Sequence, residues 1–293
     1  MKTNRRTMLL SSLGALACHA ITGAIEPLNR KGKPRLRLSL AAYSFRDQFK
    51  DPKLMTLPRF IDMCADEGLE GTELTSYYFP PEPSPEFLLS LKRQAHLRGV
   101  AVSGTSVGNN FALPDGPERD REIASVKQWI DRAAILGAPH IRVFAGSPKG
   151  ISQEEGIQQV VKAFKETCAY AGTKGIFLGL ENHGGVVATP EGMLEIIKAV
   201  DSPWFGVNLD TGNFHSDDPY AELVRIAPYA VNVQVKVEMK RGKNPPEPVD
   251  LPRLIRLLKD ANYQGFVVLE YEAKEDPFTA VPLWLAKMRE AMG

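Results

Sequence analysis

Cysteine is scarce in this chain of 293 residues, occurring only as Cys18, Cys64 and Cys168, so no disulfide framework holds the fold together. No uninterrupted apolar stretch reaches the roughly 20 residues a membrane-spanning helix needs. Low-complexity tracts are absent, and with 43% hydrophobic and 24% charged residues the chain reads as an ordinary globular protein rather than a disordered one. Charge of one sign is missing too, since 36 Lys and Arg face 35 Asp and Glu. A near-neutral surface does not attract nucleic acid or other polyanions. Finally, no glycine-rich phosphate loop follows the first strand-like run, which argues against an open doubly wound nucleotide-binding sheet.

The first 24 residues have the shape of an export signal. Arg5-Arg6 leads into Thr7-Met8-Leu9-Leu10 and a short apolar run ending in small residues, the pattern of a twin-arginine signal peptide, with cleavage expected after Ala20 or Ala24. A periplasmic or extracellular location follows from that reading; a lipid anchor on Cys18 or an unprocessed cytoplasmic start is less favoured. Removing residues 1–24 lowers the net charge from +1 to −2. Residues 25–35, rich in Pro, Lys and Arg, read as a linker, and residues 36–293 as one domain.

Within that domain, short apolar runs alternate with amphipathic ones to the C-terminus. The strand-like runs are 36–44, 69–75, 100–107, 140–145, 176–182, 205–209, 231–237 and 266–271. Between them apolar residues recur at three- and four-residue spacing, as in Ile157, Val160, Val161 and Phe164. Gly68, Gly99, Gly137, Gly175 and Gly265 precede successive strands and suggest left-handed helix ends. Eight βα units in about 250 residues predict a single-domain α/β protein, a (β/α)8 TIM barrel. Cys64 and Cys168 fall on its first and fourth helices, which are not neighbours, so each is expected to be a buried free thiol. The longer segments after the second, third and seventh strands, Tyr77 to Pro85, Asn109 to Pro117 and Arg241 to Pro248, are expected over the mouth.

In such a barrel the C-terminal ends of the strands ring the active site. Four adjacent strand ends each offer an oxygen donor: Glu181, Asp210, Gln234 and Glu270. Three carboxylates converging in one barrel cannot all stay ionised without a counter-charge, because burial and mutual repulsion raise their pKa values. A divalent cation resolves the conflict, and an all-oxygen set suits Mn2+ or Mg2+ better than Zn2+ or Co2+.

With Leu-Glu-Asn-His-Gly-Gly around Glu181, Asn-Leu-Asp-Thr-Gly-Asn around Asp210, Val-Gln-Val-Lys-Val-Glu around Gln234 and Val-Leu-Glu-Tyr-Glu around Glu270, residues 36–290 resemble the xylose-isomerase-like barrels. The likeness is to the sugar phosphate isomerase/epimerase group, which includes ketose 3-epimerases, hydroxypyruvate isomerase and inosose dehydratase. The resemblance implies a metal held by Glu181, Asp210, Gln234 and Glu270, with Glu181 and Glu270 doubling as acid/base groups. It implies proton abstraction next to the carbonyl of a small sugar or keto-sugar. His183, Lys236, Asn213, Arg142, Glu73 and Tyr43 are the candidate substrate contacts. Two positions depart from the family pattern: Gln234 stands where many members have His, and Asn213 where the epimerases carry a substrate-binding His.

A single Glu at a strand end is more often solvated or ion-paired than a ligand; four donors in register are hard to explain that way. Glu238 and Glu272 have matching parity but are read as partners for nearby basic residues. The same site given a 3-keto sugar, keto-glycoside or inosose could act as a lyase or dehydratase, the main rival reading, and a catalytically idle carbohydrate-binding barrel is the remoter one. A DNA-repair endonuclease of the related endonuclease IV group needs a His-rich three-zinc cluster, and five histidines with an acidic body do not supply it. A homo-oligomer is left open by the sequence.

Overall fold

The computed structural model describes residues 26–293. The predicted signal peptide lies outside the described residues. Eight parallel strands close into a barrel: β1 (Arg35–Ala41), β2 (Gly71–Thr75), β3 (Ala101–Ser106), β4 (His140–Val143), β5 (Phe177–Glu181), β6 (Phe205–Asp210), β7 (Ala230–Val235) and β8 (Gln264–Leu269), with β8 returning to pair with β1. Eight helices lie between and after them: α1 (Leu57–Asp66), α2 (Pro85–Leu97), α3 (Pro117–Leu136), α4 (Gln153–Lys174), α5 (Pro190–Val200), α6 (Pro219–Ile226), α7 (Leu251–Asp260) and α8 (Pro277–Met292). The predicted (β/α)8 barrel is therefore the observed fold, in one domain. No helix of the described residues is long and apolar enough to cross a membrane.

Local sequence sets the helix ends. Thr56, Ser84 and Ser152 each accept a backbone N–H of the first turn through their side-chain oxygen, and Ser152 with Glu155 forms a reciprocal capping box. Gly137 and Gly175 end α3 and α4 in the left-handed conformation, with φ of 77° and 70°. Gly265 does not play the part expected of it. The left-handed turn after α7 is made by Asn262, φ 51°, a residue whose short polar side chain tolerates that region, and Gly265 lies inside β8. Its missing Cβ leaves room for the Tyr263 hydroxyl, which would stand 2.5 Å from such an atom.

Alternation along the strands sends most aliphatic residues outward and leaves mainly polar or small ones inward, with Phe266 and Val268 of β8 the inward apolar exceptions. Leu40, Ile141, Leu178, Leu180, Val207, Val233 and Leu269 belong to one large buried cluster with helix residues such as Phe60, Leu91, Ile130, Phe164 and Leu254. Cys64 and Cys168 are buried free thiols within that layer, and burial pushes both thiols up to about 12. Ala41, Phe266 and Val268 form a separate small cluster. The residues of the same inward parity nearer the mouth are polar: Glu73, Arg142, Glu181, Asn208, Asp210, Asn232 and Gln234, all buried. At the opposite end, the stretch read as a linker lies across the barrel floor. The Leu28 N–H donates to the Pro228 carbonyl (3.1 Å), Arg30 donates to the Ala230 carbonyl, and Asn262 and Gln264 donate to the carbonyls of Arg30 and Lys31 at 2.9 and 2.8 Å.

Candidate active site at the barrel mouth

The four predicted donors lie at or next to the C-terminal ends of four adjacent strands. Glu181 closes β5 opposite Asn208, and Asp210 closes β6 opposite Gln234 of β7. Asn182 locks β5 to β6 just above them, its amide donating to the Asp210 carbonyl and its oxygen accepting the Asp210 N–H, both at 2.9 Å. Glu270 follows the last residue of β8, where its N–H reaches the Val235 carbonyl at 2.9 Å. On either side of it the Ser44 hydroxyl donates to the Leu269 carbonyl and accepts the Tyr271 N–H. These clamps use backbone and uncharged side chains, so the carboxylates themselves stay free for other partners.

Those partners are chiefly two cations. Arg142, on β4, makes an ion-pair contact from Nε to Glu181 Oε2 at 2.9 Å, while Asn213 donates to Glu181 Oε1 at 2.9 Å. Lys236 stands one residue beyond β7, its backbone N–H on the Thr211 hydroxyl. Its ammonium lies 2.5 Å from Glu270 Oε2, 2.6 Å from Glu272 Oε2 and 3.2 Å from Asp210 Oδ2. Gly212 makes this possible: a Cβ there would come within 2.6 Å of the Lys236 stem.

Glu73 and Gln234 meet across the lumen in a closed ring of hydrogen bonds. Gln234 donates to Glu73 Oε1 (2.6 Å), Asn208 donates to Gln234 Oε1 (2.6 Å), and Asn232 donates to both Asn208 Oδ1 (2.8 Å) and Glu73 Oε2 (3.0 Å). Both ends of the Gln234 carboxamide are thus engaged.

Burial pushes Glu73 up to about 8, with Glu270 adding to the shift and Arg142 opposing it. Burial likewise raises Asp210 to about 8 against the pull of Lys236, and Glu181 to about 7 against that of Arg142. Glu270 moves the other way: burial would raise it, but Lys236 and then Arg142 hold it below the usual carboxylate range. Lys236 itself stays charged, because the surrounding carboxylates outweigh its desolvation.

The other candidates lie around this centre. His183 is exposed at the rim, its ring 4.7 Å from that of Phe144. Tyr43 belongs to an aromatic wall, edge-on to Tyr77 at 6.3 Å, with burial and the charge of Glu272 raising its phenol. Reading the sequence passed over Asn208 and Asn232 as site residues, although both share the inward parity of Asp210 and Gln234. Glu272, read as a partner for nearby basic residues, is ion-paired with Lys236.

In chemical kind these side chains fit a hard divalent cation. The donors are oxygens, and Asp210 Oδ2 is buried without a hydrogen-bond partner, 3.2 Å from the Lys236 ammonium. Five carboxylates, Glu73, Glu181, Asp210, Glu270 and Glu272, share Arg142 and Lys236 as ion-pair partners, and burial pushes Glu73, Asp210 and Glu181 toward the neutral form, which a bound cation would oppose. In arrangement, no three His, Cys, Asp or Glu among the described residues converge closely enough to hold an ion as they stand. Glu181 is turned to Arg142 and Asn213, and Lys236 stands between Asp210 and Glu270.

A family profile described as xylose isomerase-like TIM barrel matches residues 61–289. A putative hydroxypyruvate isomerase of Homo sapiens is 25% identical over 264 residues, covering 83% of this chain and 93% of that protein. An inosose dehydratase of Yersinia enterocolitica is 26% identical over 291 residues, covering 85% and 94%. Among solved structures, a D-psicose 3-epimerase of Clostridium cellulolyticum H10 superposes with a TM-score of 0.72 at 17% identity, over 87% of this chain and 99% of that one. At that identity the superposition speaks for the fold alone.

Proposed function

Because the chain belongs to the xylose isomerase-like TIM barrel family, we propose that it is a divalent-metal-dependent isomerase or epimerase. It moves a proton next to the carbonyl of a small sugar or keto-sugar, using Glu181 and Glu270 as its acid/base pair. One observation carries this reading: two buried carboxylates at the ends of β5 and β8 face a common mouth, each held by its own cation, Arg142 for Glu181 and Lys236 for Glu270. Facing one mouth, one of these carboxylates can accept the proton and the other return it. The putative hydroxypyruvate isomerase and the inosose dehydratase among the relatives support this reading.

Asp210, Glu270 and Glu181 would hold the cation, Mn2+ or Mg2+ by donor type, with the Gln234 oxygen joining on release of Asn208. Bound there, it would polarise the substrate carbonyl and stabilise the negative charge that develops on proton removal. Arg142 on Oε2 and Asn213 on Oε1 fix the orientation of the Glu181 carboxylate. Tyr43 and Tyr77 wall the entrance with aromatic surface suited to a sugar face. His183 at the rim contacts substrate oxygens on the solvent side.

The inosose dehydratase relative favours a second reading on the same residues, a lyase in which the returning proton goes to a leaving hydroxyl or alkoxide. Incubation with free and 3-keto sugars in deuterated water separates the two. Deuterium incorporated at the carbon next to the carbonyl, without loss of water, supports the isomerase; an unsaturated product supports the lyase. Either Glu181→Gln or Glu270→Gln is expected to lower turnover about 10²- to 10⁴-fold. Full activity in both variants removes the acid/base assignment.

A further inference from the structure

The Lys236 ammonium uses the two carboxylates that a cation in this mouth would need, Asp210 and Glu270, at 3.2 and 2.5 Å. Its third partner, Glu272, lies on the solvent side, with a side chain 38% exposed against 6% for Glu270. Next to the ammonium is a cavity of about 240 Å³, lined by Lys236, Glu272, Asn213 and Glu238 among others. The lysine stem is seated on Gly212, where any side chain would collide with it. Thus the lysine has a built inner position, an outer carboxylate already in contact, and open space beside that carboxylate.

Resting on the metal-dependent reading above, we infer that Lys236 is an internal competitor for the cation. Its ammonium and a divalent ion cannot share Asp210 and Glu270, so binding of the ion drives Lys236 outward onto Glu272 and into the adjoining cavity. Two like charges sharing the same two oxygens repel strongly in a buried site, whereas the outer position keeps one full ion pair. Metal affinity is then set by the Lys236–Glu272 pair as much as by the ligands, and the displaced ammonium becomes a positive group at the rim of the substrate pocket.

The test follows the lysine and the metal separately. In the full-length protein, reductive methylation of Lys236, read by peptide mass spectrometry, is expected to be slow without Mn2+ and faster at saturating Mn2+. Calorimetric or EPR titration with Mn2+ is expected to show binding about 10- to 100-fold tighter in Lys236→Met and weaker in Glu272→Gln. Mn2+ binding to the wild type with unchanged Lys236 labelling overturns the competition while leaving the metal-dependent reading standing. Absence of Mn2+ binding in both the wild type and Lys236→Met overturns both.

Discussion

Gln234 shows how much one residue can be asked to satisfy. Its amide nitrogen serves Glu73 and its oxygen serves Asn208, at 2.6 Å each, in a lumen where no bulk water replaces a lost partner. Gln234→Leu keeps the volume but strands a Glu73 oxygen and an Asn208 N–H. Each buried unsatisfied group costs about 1–3 kcal/mol, so with two of them the variant is expected to lose about 2–6 kcal/mol in urea unfolding. A loss under about 1 kcal/mol would mean that the ring of Glu73, Gln234, Asn208 and Asn232 contributes nothing to stability. The same commitment gives a physical sense to Gln at a position where the resembled barrels have His: its planar amide both donates to Glu73 and accepts from Asn208.

Among the elements, β4 is the shortest barrel strand, and it holds its neighbours at a close approach. The His140 ring lies between Gly104 of β3 and Gly179 of β5, where added Cβ atoms would come within 2.6 Å of Nδ1 and Nε2 respectively. Glycine at these two places is required by packing rather than by backbone conformation. Gly104→Ala is expected to destabilise by about 1–3 kcal/mol through overpacking. Combined with His140→Ala, which vacates the space, the two changes should cost clearly less together than the sum of the singles in thermal or urea unfolding. Simple additivity would show that the contact exerts no strain.

For the molecule as a whole, this same imidazole links stability to pH. His140 is buried with neither ring nitrogen hydrogen-bonded, and burial, with Arg142 nearby, pushes it down to about 3. The unfolded chain binds a proton there near pH 6.5, whereas the folded one stays neutral until far lower pH. His140 therefore contributes no acid penalty above about pH 6.5, and stability falls by about 1.4 kcal/mol per pH unit as pH drops from there toward 3. Subtracting the stability curve of His140→Gln from that of the wild type should isolate this slope between pH 4 and 6. A flat difference would show that the imidazole is solvated or paired in the fold.

Much of this architecture is legible in the residues alone. Apolar alternation every two residues and helical spacing between the strands specify eight βα units. The same parity that turns Leu180, Leu209 and Val235 outward turns Glu181, Asp210 and Gln234 toward the lumen, so a constellation could be named from position along the chain. Partnership could not be read that way. That Glu73 of β2 bonds to Gln234 of β7, that Lys236 takes Asp210, Glu270 and Glu272, and that Arg142 faces Glu181 depend on barrel closure and on stagger between strands. Those bring Glu73 to Gln234, 161 positions away along the chain. Sequence period determined which way each side chain points; only the closed barrel decided what it meets, because distances across the lumen arise from the tertiary geometry and leave no periodic trace in the chain.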